Sequence, residues 1–242
     1  MRIDFHTHLL PAIDDGSQSV AESLNMLDAL RLQNVHCAVA TPHFYSNKAN
    51  LTVFLNQRDK AYEMLLSKCS QEMPKVIPGA EVAFFRGMGK AEDLTKLCIA
   101  NTNALLIEMP FVQWGQSELS EIEKILNRGI FPVLAHIERY FPFQRDISIF
   151  NEIINLPLYL QVNAEAMQMR RSRKFVFKLI ENGFSVLLGT DCHNMKRRKP
   201  NMEEGRAAIA KAFGRSYLQS MDAVGADLLK IGDPSDFAES GV

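Results

Sequence analysis

The chain has 242 residues, a length that suits one barrel-sized α/β domain or between one and two average domains. Apolar residues make up 47% of it and charged residues 23%, which excludes an intrinsically disordered, collagen-like or coiled-coil protein. The 27 basic and 28 acidic residues leave a net charge of −1, so no nucleic acid is expected as a partner, although this balance does not exclude a local basic patch.

The cysteines and the N-terminus indicate a protein of the reducing cytoplasm. The four cysteines, Cys37, Cys69, Cys98 and Cys192, form no CxxC pair and lack the spacing of a disulfide framework or a zinc ribbon. The first residues, MRIDFHTH, lack the apolar core of a signal peptide, and no run of 18 apolar residues is present. We therefore expect a cytoplasmic protein that is not inserted in a membrane.

Short apolar runs alternate with amphipathic segments along the chain, which predicts strands followed by helices. Seven strands are predicted, at residues 2–5, 36–40, 75–78, 104–109, 131–135, 158–162 and 185–189. Parallel neighbours need crossover helices, so the alternation predicts an α/β fold whose parallel sheet is either open or closed into a barrel. No linker divides the chain, and C-terminal helices are predicted at 202–232, before a tail at 233–242. We therefore predict a single domain over residues 1–242.

Histidines and carboxylates follow most of the predicted strands. They are His6 and His8 in HTH, Asp14 and Asp15 in DDG, His43 in TPH, Glu81 in PGAE, Glu108 in IEMP, His136 in AHIER, and Asp191 and His193 in TDCH. Because the carboxyl ends of parallel strands lie on one face of a barrel or sheet, we expect these side chains to converge. In an extended HxH both imidazoles point to the same side, where they can bind one ion. Nitrogen and oxygen ligands without thiolates favour Mn, Zn, Fe or Mg, so the sequence predicts a metal site.

Cys192 and Arg198 also match the C-x5-R pattern of cysteine-dependent tyrosine phosphatases. That chemistry needs a thiolate at the base of a loop whose backbone amides bind the phosphate. The intervening residues contain no glycine, and Lys199 stands where those enzymes usually have Ser or Thr. We interpret the match as accidental.

Taken together, the segments DFHTHLLPAIDDG, ATPHF, PGAEV, LIEMP, HIER and TDCHN resemble the polymerase and histidinol phosphatase (PHP) superfamily. Within it, the chain is most similar to the manganese-dependent tyrosine phosphatases of bacterial capsule and exopolysaccharide operons, from residue 1 to about residue 232. The resemblance implies a distorted seven-stranded (β/α)7 TIM-like barrel with up to three divalent metal ions at its C-terminal face. Mn²⁺ is the expected ion, with Fe, Zn or Mg as alternatives. The family commonly has HPER where this chain has HIER, and a small residue at the position of Cys192.

The resemblance also implies a role for each site residue. The first ion would be bound by His6, His8, Glu81 and Asp191, the second by Glu81, Glu108 and His136, and the third by Asp15, His43 and His193. Asp15 is preferred to Asp14 as a ligand because it directly precedes Gly16. Arg139 and Arg198 would bind the phosphate through their guanidinium groups, with Arg197 as a rival for the second position. Asp14, His43 or His136 would relay a proton.

The activity implied by the resemblance is hydrolysis of phosphotyrosine without a covalent enzyme intermediate. A divalent metal lowers the pKa of its bound water towards neutrality, which provides the nucleophile. The implied partner is the phosphotyrosine-bearing tail of a membrane-bound bacterial tyrosine kinase that controls polysaccharide synthesis and export. Formation of a homo-oligomer is expected by analogy with the family alone.

Two other functions stay open on the sequence. A small-molecule phosphatase, such as a histidinol phosphatase, would have a closed pocket in place of a shallow basic rim. Aromatic residues beside the motifs are able to line either kind of mouth: Phe44, Tyr45, Phe84, Phe85, Trp114 and Tyr140. Phe84 and Phe85 are candidates to pack against a phenol ring or, equally, core residues. The other function is a non-catalytic metal-binding accessory module. Loss of activity usually leaves gaps among the ligand positions, and here every expected position is filled.

Overall fold

The structure is a computed structural model that describes residues 1–230, so the predicted tail at 233–242 lies outside the described residues. Over residues 1–230 nine strands are formed: β1 Ile3–Thr7, β2 Cys37–Ala40, β3 His43–Phe44, β4 Lys75–Pro78, β5 Glu81–Ala83, β6 Ala104–Glu108, β7 Phe131–Leu134, β8 Tyr159–Asn163 and β9 Val186–Gly189. The α-helices of the same range are α1 Val20–Leu32, α2 Leu51–Leu66, α3 Gln116–Asn127, α4 Ser148–Ile154, α5 Arg170–Glu181 and α6 Met202–Leu228. Short 3₁₀ turns occur at Met88–Lys90, Glu92–Leu97, Ile137–Arg139, Phe141–Phe143 and Ala164–Gln168. All seven predicted strands are confirmed.

Strands β3 and β5 were not predicted, and each continues the path of the strand before it. β2 pairs with β4 and β3 pairs with β5, both in parallel, so that His43 lies opposite Glu81. The interruption follows from the residues at the breaks. Pro42 has no amide donor for the ladder, and a side chain at Gly79 would come within 3.3 Å of Ile99. His43 and Glu81 therefore begin short strands of their own.

The strands form two parallel sheets, in the orders β1-β2-β4 and β3-β5-β6-β7-β8-β9. β1 lies beside β9, but the backbones there share one isolated bridge, between Thr7 and Cys192. Asp4 adds a side-chain connection, since its carboxylate accepts hydrogen bonds from Thr190 N at 2.8 Å and Thr190 Oγ1 at 2.6 Å. In the described residues the predicted parallel α/β fold is confirmed, whereas a hydrogen-bonded ladder that would close a seven-stranded barrel is not present.

Strand burial on both faces explains why the sequence shows continuous apolar runs. β2 has the sequence CAVA and is fully buried, as expected for a parallel strand covered on both sides. One buried cluster joins side chains from both sheets and the end of α6, among them Phe5, Val39, Leu106 and Leu228. The two sheets therefore share a core.

Polar side chains cap the starts of α1 and α2, and a glycine interrupts α6. Ser19 caps α1 by accepting a hydrogen bond from Glu22 N, and Asn50 caps α2 in the same manner. α6 is two helical segments joined at Gly214, whose φ of 83° is readily adopted only by glycine. Arg206 and Asp222 form a buried two-bond ion pair between these segments. Over residues 1–230 no helix has both the length and the apolar character to cross a membrane.

Candidate metal centre

The carboxyl ends of the strands bring all nine predicted ligands into one connected cluster. His6 lies in β1 and His8 directly follows it, His43 and Glu81 begin β3 and β5, and Glu108 ends β6. The remaining members are Asp15, His136, Asp191 and His193, which lie in the loops after β1, β7 and β9. Parallel strands start their loops at the same edge of a sheet, which accounts for the convergence of residues almost 190 positions apart.

In the first predicted group, His6, His8 and Glu81 have donor atoms at mutual distances that suit one ion, and Asp191 lies beside the two imidazoles. His6 Nε2 lies 3.1 Å from His8 Nε2 and 3.2 Å from Glu81 Oε2, and His8 Nε2 lies 3.4 Å from Glu81 Oε2. Asp191 Oδ1 is 3.7 Å and 3.5 Å from the two imidazole nitrogens. Ligand atoms at about 2.1 Å from a shared ion are separated by roughly 3.0–3.4 Å. His6, His8 and Glu81 therefore fit a divalent cation, and Asp191 lies slightly farther from the two imidazoles than this range.

The second predicted group is also assembled. His136 Nε2 lies 3.0 Å from Glu81 Oε1 and 3.7 Å from Glu108 Oε1. His43 offers an additional donor here, since it forms a compact group of possible ligands with the same two glutamates. Glu81 thus stands between the first and second groups, as expected for a bridging carboxylate.

The third predicted group lies at the outer side of the cluster. Asp15 Oδ1 is 3.4 Å from His43 Nε2 and 3.5 Å from His193 Nε2, and His8 belongs to the same compact group. The Asp15 side chain is 65% exposed, whereas His193 is buried. Asp15 therefore places this group at the solvent-exposed side of the cluster.

Several donor atoms of the cluster are buried and have no hydrogen-bond partner. They are Glu81 Oε2, His193 Nε2 and His136 Nδ1. Glu81 Oε2 lies 2.8 Å from His43 Nδ1 without accepting a hydrogen bond from it. A buried polar atom left unpaired is costly, and a coordinated ion removes this cost at Glu81 and His193. The chemistry of the donors thus fits a metal centre.

Hydrogen bonds fix the orientation of three imidazoles. Nδ1 of His8 lies 2.7 Å from Asp14 Oδ2, and Nδ1 of His6 lies 3.1 Å from Gln161 Oε1. Nδ1 of His193 lies 3.0 Å from the carbonyl oxygen of Asp191. In each case Nδ1–H is the donor to an oxygen, so Nε2 is left free as a metal ligand.

Asp14 has a different environment from Asp15. Besides His8, its carboxylate accepts hydrogen bonds from the backbone amides of Gly16 at 2.9 Å and His43 at 3.0 Å. Burial alone would raise the pKa of Asp14, but the hydrogen bond and charge of His8, with those amides, lower it to about 2. A side chain at Gly16 would collide with the His8 carbonyl, so this turn requires glycine. Asp14 is therefore an ionised partner that orients His8.

The electrostatics of the cluster favour a cation. Burial by itself lowers the pKa of His8, but Asp14, Asp191 and Glu81 together raise it well above its usual value. Burial likewise opposes ionisation of Glu81, yet the charge of His6 and the hydrogen bond with His136 hold its pKa well below the usual range. The buried carboxylates thus need positive charge next to them, which divalent ions provide.

A buried amide pair was not predicted from the sequence. Gln161 Oε1 also accepts a hydrogen bond from His136 N at 2.7 Å, and Gln161 Nε2 donates to Asn163 Oδ1 at 2.9 Å. Asn163 Nδ2 in turn donates to Asp191 Oδ2 at 2.9 Å. The signal in the sequence was QVN, two amides at a spacing of two in an otherwise apolar strand. β8 therefore supports the ligands through hydrogen bonds.

Two of the predicted ligands have strained backbones. His136 has a φ of 31° and Asp191 a φ of 53°, in the left-handed region that side chains other than glycine rarely adopt. Such conformations cost about 1–3 kcal/mol each and occur preferentially at functional sites. The strain turns both side chains towards the centre directly after their strands end.

The predicted phosphate-binding arginines differ in position. Arg139 Nη2 lies 2.9 Å from Asp191 Oδ2, and Arg198 Nη2 lies 2.6 Å from Asp191 Oδ1. Arg197 is exposed and makes no such contact, although it lines the same cleft as the other two, together with Lys199. Arg139 and Arg198 thus both meet the metal ligands, while Arg197 lies farther out.

The loop after β9 does not have the geometry of a cysteine phosphatase. Cys192 is completely buried, and burial raises the pKa of its thiol far above the usual value. The backbone amides of Lys196, Arg197 and Arg198 all donate to the side-chain oxygen of Asn194, at 2.9, 2.9 and 3.3 Å. They are therefore not available to bind an anion, which supports the interpretation that C-x5-R is accidental.

The aromatic residues predicted at the mouth are mostly structural. Trp114 and Tyr140 are buried, Phe44 packs on Phe54, and Phe84 and Phe85 are partly buried against the core. Tyr45 lies beside His43, with 5.4 Å between ring centroids.

Phe111 was not among the aromatic residues predicted at the mouth of the site, but its exposed ring lies closer to a proposed ligand than most of theirs do. It is 40% exposed, and its ring lies nearly parallel to His136, 6.0 Å away at 19°. Phe143, also exposed, meets it edge-on. In the sequence Phe111 comes directly after the IEMP motif and carries no signal of its own. Its position beside His136 is revealed by the contact in the structure.

The sequence and fold match one group of proteins. The family model described as "Capsular polysaccharide synthesis, CpsB/CapC" matches residues 2–227. The tyrosine-protein phosphatase YwqE of Bacillus subtilis is 28% identical over 239 residues, covering 94% of this chain and 91% of YwqE. The tyrosine-protein phosphatase CpsB of Streptococcus pneumoniae is 27% identical over 228 residues, covering 88% of this chain and 91% of CpsB.

Solved structures agree with this match at the level of the fold. A chain from the crystal structures of YwqE from Bacillus subtilis and CpsB from Streptococcus pneumoniae, described as unique metal-dependent tyrosine phosphatases, superposes with a TM-score of 0.79. It is 24% identical and covers 95% of this chain and 94% of its own. A probable 2-pyrone-4,6-dicarboxylic acid hydrolase from Acinetobacter baumannii gives a TM-score of 0.59 at 12% identity, with 94% and 98% coverage.

Proposed function

The chain belongs to the CpsB/CapC family of capsular polysaccharide synthesis proteins, and on this premise we propose that it is a metal-dependent phosphatase that hydrolyses phosphotyrosine in proteins. One observation carries the proposal. Nine histidines and carboxylates converge with two arginines at the carboxyl ends of the strands, in a chain whose relatives are named tyrosine-protein phosphatases. This combination supports hydrolysis of a phosphate ester and favours a phosphatase over a non-catalytic accessory module.

Three groups of residues would hold up to three divalent ions, with Mn²⁺ as the proposed metal. They are His6, His8, Glu81 and Asp191; Glu81, Glu108 and His136; and Asp15, His43 and His193. When bound, such ions supply Lewis-acid stabilisation of phosphate charge and lower the pKa of water. Glu81 would be shared by the first two groups, and we assign Asp14 to the orientation of His8 rather than to proton transfer.

Arg139 and Arg198 would bind the phosphate oxygens. Each guanidinium is partly exposed and held by Asp191 next to the proposed metal ligands. A planar guanidinium matches the oxygens of a phosphate with two parallel hydrogen bonds, and its charge stabilises the transition state of phosphoryl transfer. Arg197, exposed at the rim of the same cleft, would contribute to the field that attracts the substrate.

The exposed face of Phe111 would pack against the phenol ring of the substrate. Its ring stacks on His136, so an aromatic leaving group beside this ring would also lie beside the second metal group. The contact favours aryl phosphates over small alkyl phosphates, since ring pairs are worth about 0.5–1.5 kcal/mol. A phosphotyrosine substrate is therefore preferred here to a metabolite such as histidinol phosphate.

The proposal extends to partner, location and architecture. We take the physiological substrate to be the phosphorylated tail of a membrane-bound bacterial tyrosine kinase, and the reaction to occur in the cytoplasm. We also take residues 1–242 to work as one domain, and the two sheets to be parts of one distorted seven-stranded barrel. Support for the barrel comes from the core that both sheets share and from the Asp4–Thr190 contact between β1 and β9.

The test is hydrolysis of a phosphotyrosine peptide by purified protein, with added Mn²⁺ and with chelator, beside histidinol phosphate. We expect metal-dependent release of phosphate from the peptide. Replacement of the ligand His136 by Ala should abolish release while the circular dichroism spectrum stays unchanged, whereas Cys192→Ser should leave most activity. Release from histidinol phosphate alone would refute the proposed substrate, and loss of all activity in Cys192→Ser would refute the metal mechanism.

A further inference from the structure

The first turns of α5 carry a cluster of exposed cations outside the metal centre. Arg170, Arg171, Arg173 and Lys174 occupy four of its first five positions, and Lys178 follows one turn later. All five residues are exposed, and within residues 1–230 none of them forms an ion pair at 4.0 Å or less. We call these five residues the basic strip.

The four cations of the basic strip in the first turns, Arg170, Arg171, Arg173 and Lys174, oppose the stability of their own helix. Cations near a helix N-terminus face the positive end of the helix dipole, and α5 has no acidic residue in its first turn. Arg170 is also three and four positions before Arg173 and Lys174, which places like charges side by side on the helix surface. Local stability therefore does not account for this arrangement, whereas an anionic partner would.

The basic strip continues from the cleft that contains the phosphate-binding arginines. That cleft is lined by Arg139, Arg198 and Gln168, and the carboxylates of Glu165 and Glu204 line it as well. Gln168 ends a 3₁₀ turn two residues before Arg170, and a groove along α5 is lined by Arg170 and Lys174. The cations of the basic strip thus begin two residues after a residue that lines the cleft.

We propose that the basic strip binds acidic or phosphorylated residues of a polypeptide substrate while its phosphotyrosine occupies the metal centre. The inference rests on the proposed phosphatase function and adds a preference for acidic sequence beside the phosphotyrosine. The strip suits a short segment, because the 12-residue helix is about 18 Å long, the span of roughly five or six extended residues. Exposed Glu165 lines the cleft before the strip and exposed Glu181 ends α5, so carboxylates flank the cations on both sides and would repel a continuous polyanion such as nucleic acid.

The test compares two phosphotyrosine peptides of equal length, one flanked by Glu and one by Ser, together with phenyl phosphate. The variant Arg170→Gln/Lys174→Gln removes two charges and keeps the hydrogen bond from Arg173 to the Met167 carbonyl. The matched control Lys60→Gln/Lys68→Gln removes two exposed charges on and just after α2. We expect kcat/KM for the Glu-flanked peptide to fall roughly fivefold through KM in the first variant alone. The values of kcat/KM for the Ser-flanked peptide and phenyl phosphate should be unaffected. High salt should abolish the preference of the wild type for the Glu-flanked over the Ser-flanked peptide.

Binding of the Glu-flanked peptide is measured by fluorescence anisotropy, so that the strip is tested even if no substrate is hydrolysed. Weaker binding by Arg170→Gln/Lys174→Gln than by wild type and control supports the inference, and that result would stand if the proposed phosphatase function failed. Equal binding by all three proteins would overturn it. If wild type bound phosphatidylserine vesicles or single-stranded DNA as tightly as the Glu-flanked peptide, the choice of a polypeptide partner would be overturned. If Arg170→Gln/Lys174→Gln lowered kcat/KM equally for both peptides and phenyl phosphate, the two residues would have a structural role and the inference would fail.

Discussion

Asp191 is shared between the proposed metal ligands and the proposed phosphate-binding arginines. Its Oδ1 lies near His6, His8 and Arg198, while its Oδ2 accepts a hydrogen bond from Asn163 and forms an ion pair with Arg139. The carboxylate therefore holds both guanidinium groups at the metal centre before any substrate arrives. A substrate phosphate would then meet arginines that are already oriented, which lowers the entropy cost of binding it.

Asp14 and Asp15 have different proposed roles that can be tested separately: Asp14 orients His8, and Asp15 binds a metal ion. Asp14→Asn keeps the shape of the side chain but removes the charged acceptor of His8 Nδ1–H. We expect the affinity for Mn²⁺, measured by calorimetry, to fall about 10–100-fold, with activity restored at saturating metal. Asp15→Asn should instead lower the number of ions bound, and excess metal should not restore its activity. Unchanged affinity in Asp14→Asn would contradict the orienting role.

Phe111 tests the aromatic specificity of the site. Phe111→Leu preserves apolar volume but removes the ring that stacks on His136. We expect kcat/KM for phenyl phosphate to fall about threefold to tenfold relative to an alkyl phosphate, from the 0.5–1.5 kcal/mol of a ring pair. Phe143→Leu, which changes an exposed ring farther from the ligands, should have a smaller effect. An equal loss on alkyl and aryl esters would exclude a contact with the leaving group.

At the scale of elements, short strands and helix ends set the geometry of the site. His43 and Glu81 face each other because β3 and β5 pair in register, although these strands are two and three residues long. Strands of that length leave no periodic pattern in the sequence, so they could not be predicted, whereas the longer buried strands could. Their existence depends on pairing with a distant segment rather than on local composition.

The effect of the basic strip on the stability of α5 can be measured by reversing one charge at each end of the helix. Arg170 is its first residue and Lys178 lies in its last turn, so the helix dipole acts on the two charges in opposite directions. Arg170→Glu should raise the free energy of unfolding by about 0.3–1 kcal/mol, whereas Lys178→Glu should lower it by a similar amount. Urea unfolding monitored by circular dichroism gives both values. Destabilisation by Arg170→Glu would show that packing, and not the dipole, determines the effect of this residue.

At the scale of the whole molecule, the sequence predicted which side chains converge as proposed ligands, but not the residues that support them. His6, His8 and Asp191 follow apolar strands in recognisable motifs, so topology alone was sufficient to bring them together. Gln161 and Phe111 carry no such motif, and their roles follow from contacts between distant segments. A single sequence records the order of elements well, but it does not record which side chains meet.

Charge is distributed unevenly in a chain whose net charge is −1. Carboxylates are concentrated at the metal centre and cations on the adjoining face, so a bound ion relieves repulsion in the folded state alone. At a concentration of one hundred times Kd, Mn²⁺ should therefore raise the free energy of unfolding by about 2.7 kcal/mol for one site. Thermal unfolding with Mn²⁺ and with chelator measures this difference. Glu81→Gln should remove most of it, and an equal metal response in that variant would indicate binding elsewhere.

The seam between β1 and β9 connects the first strand to the last one with a single backbone bridge and the Asp4–Thr190 contact. His6 and His8 stand on one side of it, and Asp191 and His193 on the other, so metal ions bound by both pairs would cross-link the two edges. Amide hydrogen exchange should consequently slow in β1 and β9 when Mn²⁺ is added, with little change in the regular β6–β7 ladder. Uniform protection of all strands would instead mean that the edges open only when the whole protein unfolds. In the metal-free protein, these two edges would then be the place where the fold begins to separate.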